Sequence, residues 1–397
     1  MPASRPRLAI IWFTIFIDLL GFGIVIPILP FYSARFGAHG MGYGALIGAF
    51  SLMQFVSTAL LGRLSDRVGR RPILLATMLL NAAGYLLFAF APSFVLLLVA
   101  RLVSGFAGGN ISAAQAYVAD ITTAEDRSKG MGVIGMAFGL GFIFGPGIGG
   151  LAARLGGHTA PGLVAVALSI ANFASAYFIL PESLRVEHRA ARDIWPFGHM
   201  ADALAHPELR PLMLVWAIAP FAFAAYTVAL PLWATATLGW HEQDLGNFFV
   251  LVGIVAAAVQ GGLFRVLTRF VSDRRLLITG MLGMAISIGV VPFLAHSAAL
   301  YAWTVVLAFS NSIMAPSATG LVSTFAAANE QGTVLGVAQS LGALGRFSGP
   351  FAIGVVYDRA SPMAAFLVAG GAMLLGWAAS LGVPKPGRPD GQADAQP

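Results

Sequence analysis

Roughly twelve apolar stretches, each long enough to cross a membrane, follow one another along this chain with short polar loops between them. A helix needs about 20 apolar residues to cross a bilayer. Hydrophobic residues make up 58% of the 397 residues and charged residues only 10%, and a water-soluble fold does not bury such an apolar excess. The stretches are continuous rather than alternating, which favours helices over strands. The sequence therefore predicts an all-α polytopic membrane protein.

The apolar stretches fall into two groups of six with matching landmarks. Arg63 follows the second stretch as Arg265 follows the eighth, and Gly145-Pro146 in the fifth corresponds to Gly349-Pro350 in the eleventh. We therefore predict two pseudo-symmetric six-helix bundles, which usually bind a solute between them. The predicted spans are 8–31, 43–62, 72–91, 94–118, 131–153 and 161–180, then 211–236, 245–264, 276–295, 298–323, 332–356 and 363–383. The predicted domains are an N-terminal bundle (1–180), a linker (181–210), a C-terminal bundle (211–383) and a tail (384–397).

Lysine and arginine residues concentrate at one end of the predicted bundles. Only Arg35, Arg154 and Arg359 fall at the opposite end. Because positive charge marks the cytoplasmic side, both termini and the linker are predicted to be cytoplasmic. This asymmetry accounts for the net charge of +6. No basic stripe with interleaved aromatic residues indicates nucleic-acid binding.

Three full charges fall inside the predicted spans, namely Asp18, Arg101 and Arg346. A charge at the bilayer centre costs at least about 2.5–3.5 kcal/mol, so each is predicted to face a cavity or a partner. Asp18 is a candidate for proton or substrate coupling, or else a structural helix-pairing acid. Arg101 either takes part in coupling or extends to the membrane surface. Arg346 is too deep to reach the surface easily and is predicted to have a cavity or inter-helix role.

Uncharged side chains within the spans are weaker candidates for a substrate cavity, because each can equally bridge two helices. They are Gln54, Asn110, Gln115, Tyr226, Gln260, Asn311 and Gln339. All seven histidines lie in loops or at span ends, so no intramembrane metal cluster is predicted. No phosphate-binding loop is present. The expectation is a carrier without a cofactor or bound metal, driven by the proton gradient, rather than an enzyme or an ATP-driven pump.

Several segments carry a family resemblance. They are Asp18–Pro30, Leu61–Pro72, Arg101–Gly105, Ala119–Arg127 and Phe138–Gly150. Through them the chain resembles the major facilitator superfamily, in the branch of twelve-span drug:proton antiporters, and within that branch most resembles the tetracycline exporters. The chain departs from those exporters in two ways. They carry further intramembrane acids in the third and ninth spans, at positions that fall near Gly84 and Met284 here, and they do not generally carry an arginine at the position of Arg346.

The resemblance implies export of an amphipathic drug, with tetracycline one candidate, in exchange for protons by alternating access. It also implies a protein of the bacterial cytoplasmic membrane that needs only lipid, solute and protons as partners and works as a monomer. The alternative is a proton-coupled or facilitated carrier of a small metabolite.

The resemblance also assigns two sets of site residues. In the implied cytoplasmic gate, Asp66 faces the N-terminal end of the eleventh helix, a contact worth about 0.3–2 kcal/mol, and Arg70 pairs with Asp120. The gate comprises Gly62, Asp66, Arg67, Gly69, Arg70, Arg71 and Asp120. The implied antiporter motif shapes the interface with the other half through Gly135, Gly139, Gly145, Pro146 and Gly149. The alternatives are charges that only set topology and a plain stripe of packing glycines. Thr268 stands where an equivalent acid would lie in the second half.

Overall fold

Every predicted span forms helix in the computed structural model, which describes residues 5–122, 127–183, 207–294, 296–325 and 331–385. Those residues contain no strand. We number the helical segments as spans 1 to 12, and call spans 1–6 the first half and spans 7–12 the second half. The helices are Arg5–Val25 and Leu29–Ala34 (span 1), Gly40–Val68 (span 2), Arg70–Ala89 (span 3), Phe94–Ala107 and Ile111–Ile121 (span 4), Arg127–Gly156 (span 5), Thr159–Ile179 (span 6), Arg210–Thr227 and Ala229–Leu238 (span 7), Glu242–Ala258 and Phe264–Phe270 (span 8), Asp273–Val290 (span 9), Ser297–Phe325 (span 10), Gln331–Arg359 (span 11) and Pro362–Leu381 (span 12).

Nine of these segments are long and apolar enough to cross a membrane within the ranges described, namely spans 2–4, 6–10 and 12. Span 1 adds the shorter apolar helix Ile11–Val25. Spans 5 and 11 are also helices, so the structure fits the predicted count of twelve membrane spans. Most of the predicted linker and tail lies outside the described residues (184–206 and 386–397), so the domain boundaries stay a prediction.

The two halves repeat one packing pattern. In the first half, span 1 packs on span 5, span 2 on span 4, and span 3 on span 6. In the second half the corresponding pairs are spans 7 and 11, 8 and 10, and 9 and 12. Because spans six positions apart have equivalent neighbours, the fold is two pseudo-symmetric six-helix bundles.

Spans 2 and 11, and spans 5 and 8, join the halves. They meet at the end of the molecule near Asp358, which we call the Asp358 end; the opposite end, where span 2 turns into span 3, is the Gly69 end. Glycine permits backbone-to-backbone contact there. A Cβ at Gly48 would lie 2.9 Å from the Phe347 carbonyl oxygen, and one at Gly246 would lie 2.7 Å from the carbonyl oxygen of Pro146.

The halves separate toward the Gly69 end. Gly336 shares a face of span 11 with Phe347, since eleven residues make about three turns, yet a Cβ at Gly336 would meet no described residue within 4 Å. Gly261 lies about two turns from Gly253 on span 8. A Cβ at Gly253 would meet Ile143 of span 5, whereas one at Gly261 would meet nothing in the part of the chain that the structure describes. Among the described residues, the halves are thus closed at the Asp358 end and open toward the Gly69 end.

As span 8 does beyond 245–264, span 2 extends beyond its predicted limits of 43–62. Its helix runs on to Val68, and Gly69 alone separates it from span 3. Asp66 and Arg67 therefore lie on the last turn of a helix, rather than in a loop as the sequence suggested. No glycine or proline interrupts the chain between Gly62 and Gly69, so nothing stops the helix where the apolar run ends.

Candidate functional site

Asp18 lies on span 1 and is held by the amide side chain of Asn110. Asn110 Nδ2 donates to Asp18 Oδ2 at 2.6 Å. A 3₁₀ turn at Gly108–Asn110 interrupts span 4 at this point, and such mid-helix turns often mark functional positions. Asn81 of span 3 lies beside the same carboxylate. Asp18 Oδ1 is buried and has no hydrogen-bond partner among the described residues, which leaves one oxygen to take a proton or a cationic group.

Arg101 lies on span 4 and is enclosed by the first half. It is 2% exposed, so its guanidinium does not extend to the membrane surface. Its Nε donates to the Leu46 carbonyl oxygen at 3.4 Å, and its Cζ lies 4.5 Å from the ring centre of Phe50 and 5.7 Å from that of Phe22. Cation–π contacts of this kind stabilise a desolvated cation by about 2 kcal/mol. Arg101 therefore joins spans 1, 2 and 4.

Arg346 differs from Arg101 because no residue in the described ranges accepts a hydrogen bond from it or pairs with its charge. It lies near the middle of span 11, close to Trp216 of span 7. A Cβ at Gly342 would lie 3.3 Å from both Arg346 Nη1 and Trp216 Cε3, so this glycine leaves room for both side chains. Trp216 Nε1 is buried and also lacks an acceptor in the part of the chain that the structure describes.

Arg70 is the centre of the charged cluster at the Gly69 end. Its Nη1 lies 2.5 Å from Asp66 Oδ1 and its Nε lies 3.2 Å from Asp120 Oδ2. Nη1 also donates to Ser65 Oγ at 2.7 Å, and the Gly62 carbonyl oxygen lies 3.5 Å away. The Arg70 side chain is 8% exposed, against 38% for Asp66 and 24% for Asp120. The implied pairing of Arg70 with Asp120 thus has its geometry in place, and the contact joins spans 2, 3 and 4.

The inter-half part of this gate stays a prediction. Asp66 pairs with Arg70 within the first half, and no contact links it to span 11 within the described residues, which omit 326–330 just before that helix begins. Arg67 is exposed. In the second half, Thr268 Oγ1 donates to the Arg265 carbonyl oxygen in its own helix.

Glu182, just beyond span 6, is part of the same cluster and was not singled out from the sequence. Its two carboxylate oxygens accept hydrogen bonds from the backbone N–H groups of Arg70 (2.9 Å) and Arg71 (3.2 Å). These are the first amides of span 3, which a helix leaves unpaired. Gly69 makes the approach possible, because its φ of 119° is open to glycine and a Cβ there would meet the Glu182 carboxylate. Arg71 extends to span 6, where its Nη2 donates to the Tyr177 carbonyl oxygen at 2.7 Å.

The glycines of span 5 form a stripe that faces its own half. A Cβ at Gly145 would lie 2.7 Å from Gly23 Cα, and Gly149 approaches the backbone of Ile24, both in span 1. The face that meets span 8 instead carries Pro146, Gly147 and Gly150. Glycines four residues apart share a helix face, but this spacing does not reveal which neighbour they meet. Gly135 and Gly139 lie on the same helix, and only their backbone is described.

The seven uncharged candidates occupy three kinds of place. Gln54 Nε2 donates to the Gly108 carbonyl oxygen at 3.2 Å, and Asn110 binds Asp18, so both join helices of the first half. Tyr226 is buried in an aromatic cluster of the second half. The others lie at exposed or half-exposed positions, with Gln260 in a π-helical turn of span 8. They are Gln115, Gln260, Asn311 and Gln339.

Comparisons with known proteins agree with this architecture. A model of the Major Facilitator Superfamily matches residues 11–272 and 212–396. Multidrug resistance protein 2 of Bacillus subtilis is 30% identical over 91% of this chain and 91% of that protein. Tetracycline resistance protein, class C, of Escherichia coli is 29% identical over 89% and 90%.

Among solved structures, the crystal structure of the human organic anion transporter MFSD10 (TETRAN) superposes with a TM-score of 0.71 and 26% identity, over 96% of this chain and all of that one. The family match covers most of the chain, and the helix packing repeats between the halves as described above. The chain belongs to the Major Facilitator Superfamily.

Proposed function

We propose that this transporter exports an amphipathic solute in exchange for protons, by alternating access between the two halves. The observation that carries the proposal is the site of Asp18, an acid well inside span 1. One of its carboxylate oxygens is bound by Asn110, and the other has no hydrogen-bond partner among the described residues. Such an oxygen is available to a proton when the cavity faces one side of the membrane and can release it when the cavity faces the other.

Sidedness follows from charge. Because Lys and Arg concentrate at the Gly69 end, we assign that end to the cytoplasm, in a bacterial cytoplasmic membrane. The structure, open toward the Gly69 end, then corresponds to the inward-facing state. In this state an inter-half contact of Asp66 would be broken, which is consistent with its pairing inside the first half.

The similar proteins support a particular chemical class of solute. Similarity to a multidrug resistance protein and to a tetracycline resistance protein supports a drug-like solute. Similarity to a transporter of organic anions supports a solute with a negative charge. By the resemblance, the positions of two acids of the tetracycline exporters fall near Gly84 and Met284, so we propose an amphipathic solute other than tetracycline as the main substrate.

Purified protein in proteoliposomes tests the proposal. We expect an imposed pH gradient to drive accumulation of a transported drug from a panel, and solute addition to move protons in the opposite direction. Asp18→Asn should abolish the gradient-driven part and keep solute exchange at equal pH, because Asn cannot carry a proton. Asp244→Asn is the matched control, since the Asp244 carboxylate contacts only His241 at a helix start among the described residues. Unchanged gradient-driven transport by Asp18→Asn would remove Asp18 from the mechanism.

A further inference from the structure

Arg346 lies on a different side of span 11 from the exposed apolar side chains of that helix. Gln339 and Arg346 are seven residues apart and so share one side of the helix, and both are exposed. Leu344 and Phe351, also seven residues apart, lie on a separate exposed side, where the hydroxyl of Ser348 donates to the Leu344 carbonyl oxygen of its own helix. Two polar side chains in line at mid-span indicate a surface that faces an aqueous path.

Arg346 and its neighbour Trp216 both carry N–H donors that have no acceptor among the described residues. A guanidinium has five N–H groups and no acceptor, and none of those of Arg346 finds a partner in the described ranges. Trp216 Nε1, on the neighbouring span 7, is a buried donor that also has no acceptor among the described residues, and a buried donor without a partner is unfavourable. A bound anion would supply acceptors to the Arg346 guanidinium, and the indole ring of Trp216 offers an apolar surface beside it.

We propose that Arg346 and Trp216 form a subsite for an anionic group of the transported solute, so that the solute is an amphipathic organic carboxylate or zwitterion. This rests on the proposed function. Arginine suits the task because its planar fork binds a carboxylate through two parallel hydrogen bonds. The Arg346–Trp216 subsite lies in the second half and Asp18 in the first, so anion and proton have separate binding places.

A matched ligand pair tests the subsite. We would measure binding of 1-naphthylacetate and of its neutral amide, 1-naphthylacetamide, to the purified transporter. The carboxylate should bind at least about tenfold more tightly than the amide, the discrimination expected of one charge-assisted contact. Arg346→Gln should remove that difference and leave amide binding unchanged, whereas Arg346→Lys should keep part of it. Arg359→Gln is the control, an exposed arginine of the same helix near the Asp358 end.

Two outcomes would overturn the subsite: equal binding of the two ligands to the unmodified protein, or an equal loss of both in Arg346→Gln. The proposed function fails separately. Arg346-dependent carboxylate binding without gradient-driven transport would refute antiport and keep the subsite. Gradient-driven export that is insensitive to Arg346→Gln for charged and neutral solutes would keep antiport and refute the subsite.

An independent observation concerns Asp358, at the last turn of span 11. Its carboxylate accepts hydrogen bonds from the backbone N–H groups of Gly40 (2.8 Å) and Met41 (2.7 Å), the first residues of span 2. The contact crosses between the halves and places an acid on the positive end of a helix. The resemblance implies the same design at the Gly69 end with the helices exchanged, in a state where Asp66, at the end of span 2, would face the start of span 11.

We infer that Asp358 is a latch, the counterpart of the implied gate at the Gly69 end. Its contact with span 2 holds the Asp358 end closed and must break when that end opens. The chain has no cysteine, so spin labels can be placed on introduced cysteines without background. Labels at Arg35→Cys and Arg359→Cys report separation of the halves at this end. Asp358→Asn should raise the ratio of the open population to the closed population about tenfold, which corresponds to the upper part of the energy range for a carboxylate at a helix terminus. Asp358→Glu keeps the charge and should raise this ratio less. Asp244→Asn is again the control.

The latch fails if Asp358→Asn leaves the distance distribution of the unmodified protein unchanged. It also fails if Asp358→Glu opens this end as far as Asp358→Asn, because packing rather than charge would then hold it. Gel-filtration profiles of each variant show that the labelled proteins remain folded.

Discussion

Replacement of Arg70 by lysine tests whether the charged cluster at the Gly69 end depends on the fork of arginine or only on its positive charge. Arg70 binds Asp120 through Nε and Asp66 and Ser65 through Nη1. A lysine ammonium is a single point on a flexible chain. It keeps the charge and can reach one carboxylate well, so the variant loses about one charged hydrogen bond.

The expected size of the effect follows from burial. A hydrogen bond to a charged group contributes about 1.5–3 kcal/mol. The Arg70 side chain is 8% exposed, but that of Asp120 is 24% and that of Asp66 38%, so solvent weakens each pair. We therefore expect Arg70→Lys to lower the free energy of unfolding by about 1–2 kcal/mol. Arg70→Ala, which leaves two carboxylates without their common partner, should lower it by about 3 kcal/mol.

Unfolding in mixed micelles with increasing SDS measures these differences. A double-mutant cycle of Arg70→Ala and Asp120→Asn isolates the pair, since Asp120→Asn should destabilise the Arg70→Ala variant less than it destabilises the unmodified protein, with a coupling energy of at least about 0.5 kcal/mol. The reasoning is refuted if Arg70→Lys is as stable as the unmodified protein, or if the two substitutions are additive.

Two further predictions concern the same end of the molecule. Gly69→Ala should destabilise the protein by about 1–3 kcal/mol in the same titration, because alanine at a φ of 119° is strained and its Cβ meets the Glu182 carboxylate; equal stability would contradict this. Asp66→Asn should lower transport turnover at least about tenfold and leave solute affinity within about twofold, because we propose a gate rather than a binding contact; a loss confined to affinity would contradict the gate.

The helical architecture could be predicted from the sequence because each span is marked by its own apolar run. Apolar runs of membrane length, and landmarks repeated between the halves, need no knowledge of distant contacts. Asp18 and Arg346 were also identified this way, since a charge inside an apolar run is visible by itself. The end of span 2 was misplaced because the apolar run marks where the membrane ends and not where the helix ends, and no glycine or proline marks a helix end before Gly69.

The partners of these residues were harder to predict. Glu182 binds backbone amides 112 residues away and Asp358 binds one 318 residues away. Backbone amides carry no residue signature, so an acid that caps another helix resembles any charge at a span end. The proline-glutamate-serine run that follows span 6 was the one local sign of Glu182, because an acid directly after a span lies near the starts of neighbouring helices.

The latches at the two ends set a condition on how strong either contact can be. A transporter that alternates must populate both states, so their free energies can differ by only a few kcal/mol. A carboxylate on a helix N-terminus contributes about 0.3–2 kcal/mol, which is strong enough to bias the closed end and weak enough to break in each cycle. If Asp358 closes one end and Asp66 the other, each latch offsets the other, and removal of one should shift the protein toward the state in which that end is open. Asp358→Asn and Asp66→Asn are therefore expected to move the equilibrium in opposite directions, and the double variant should return it toward the unmodified balance.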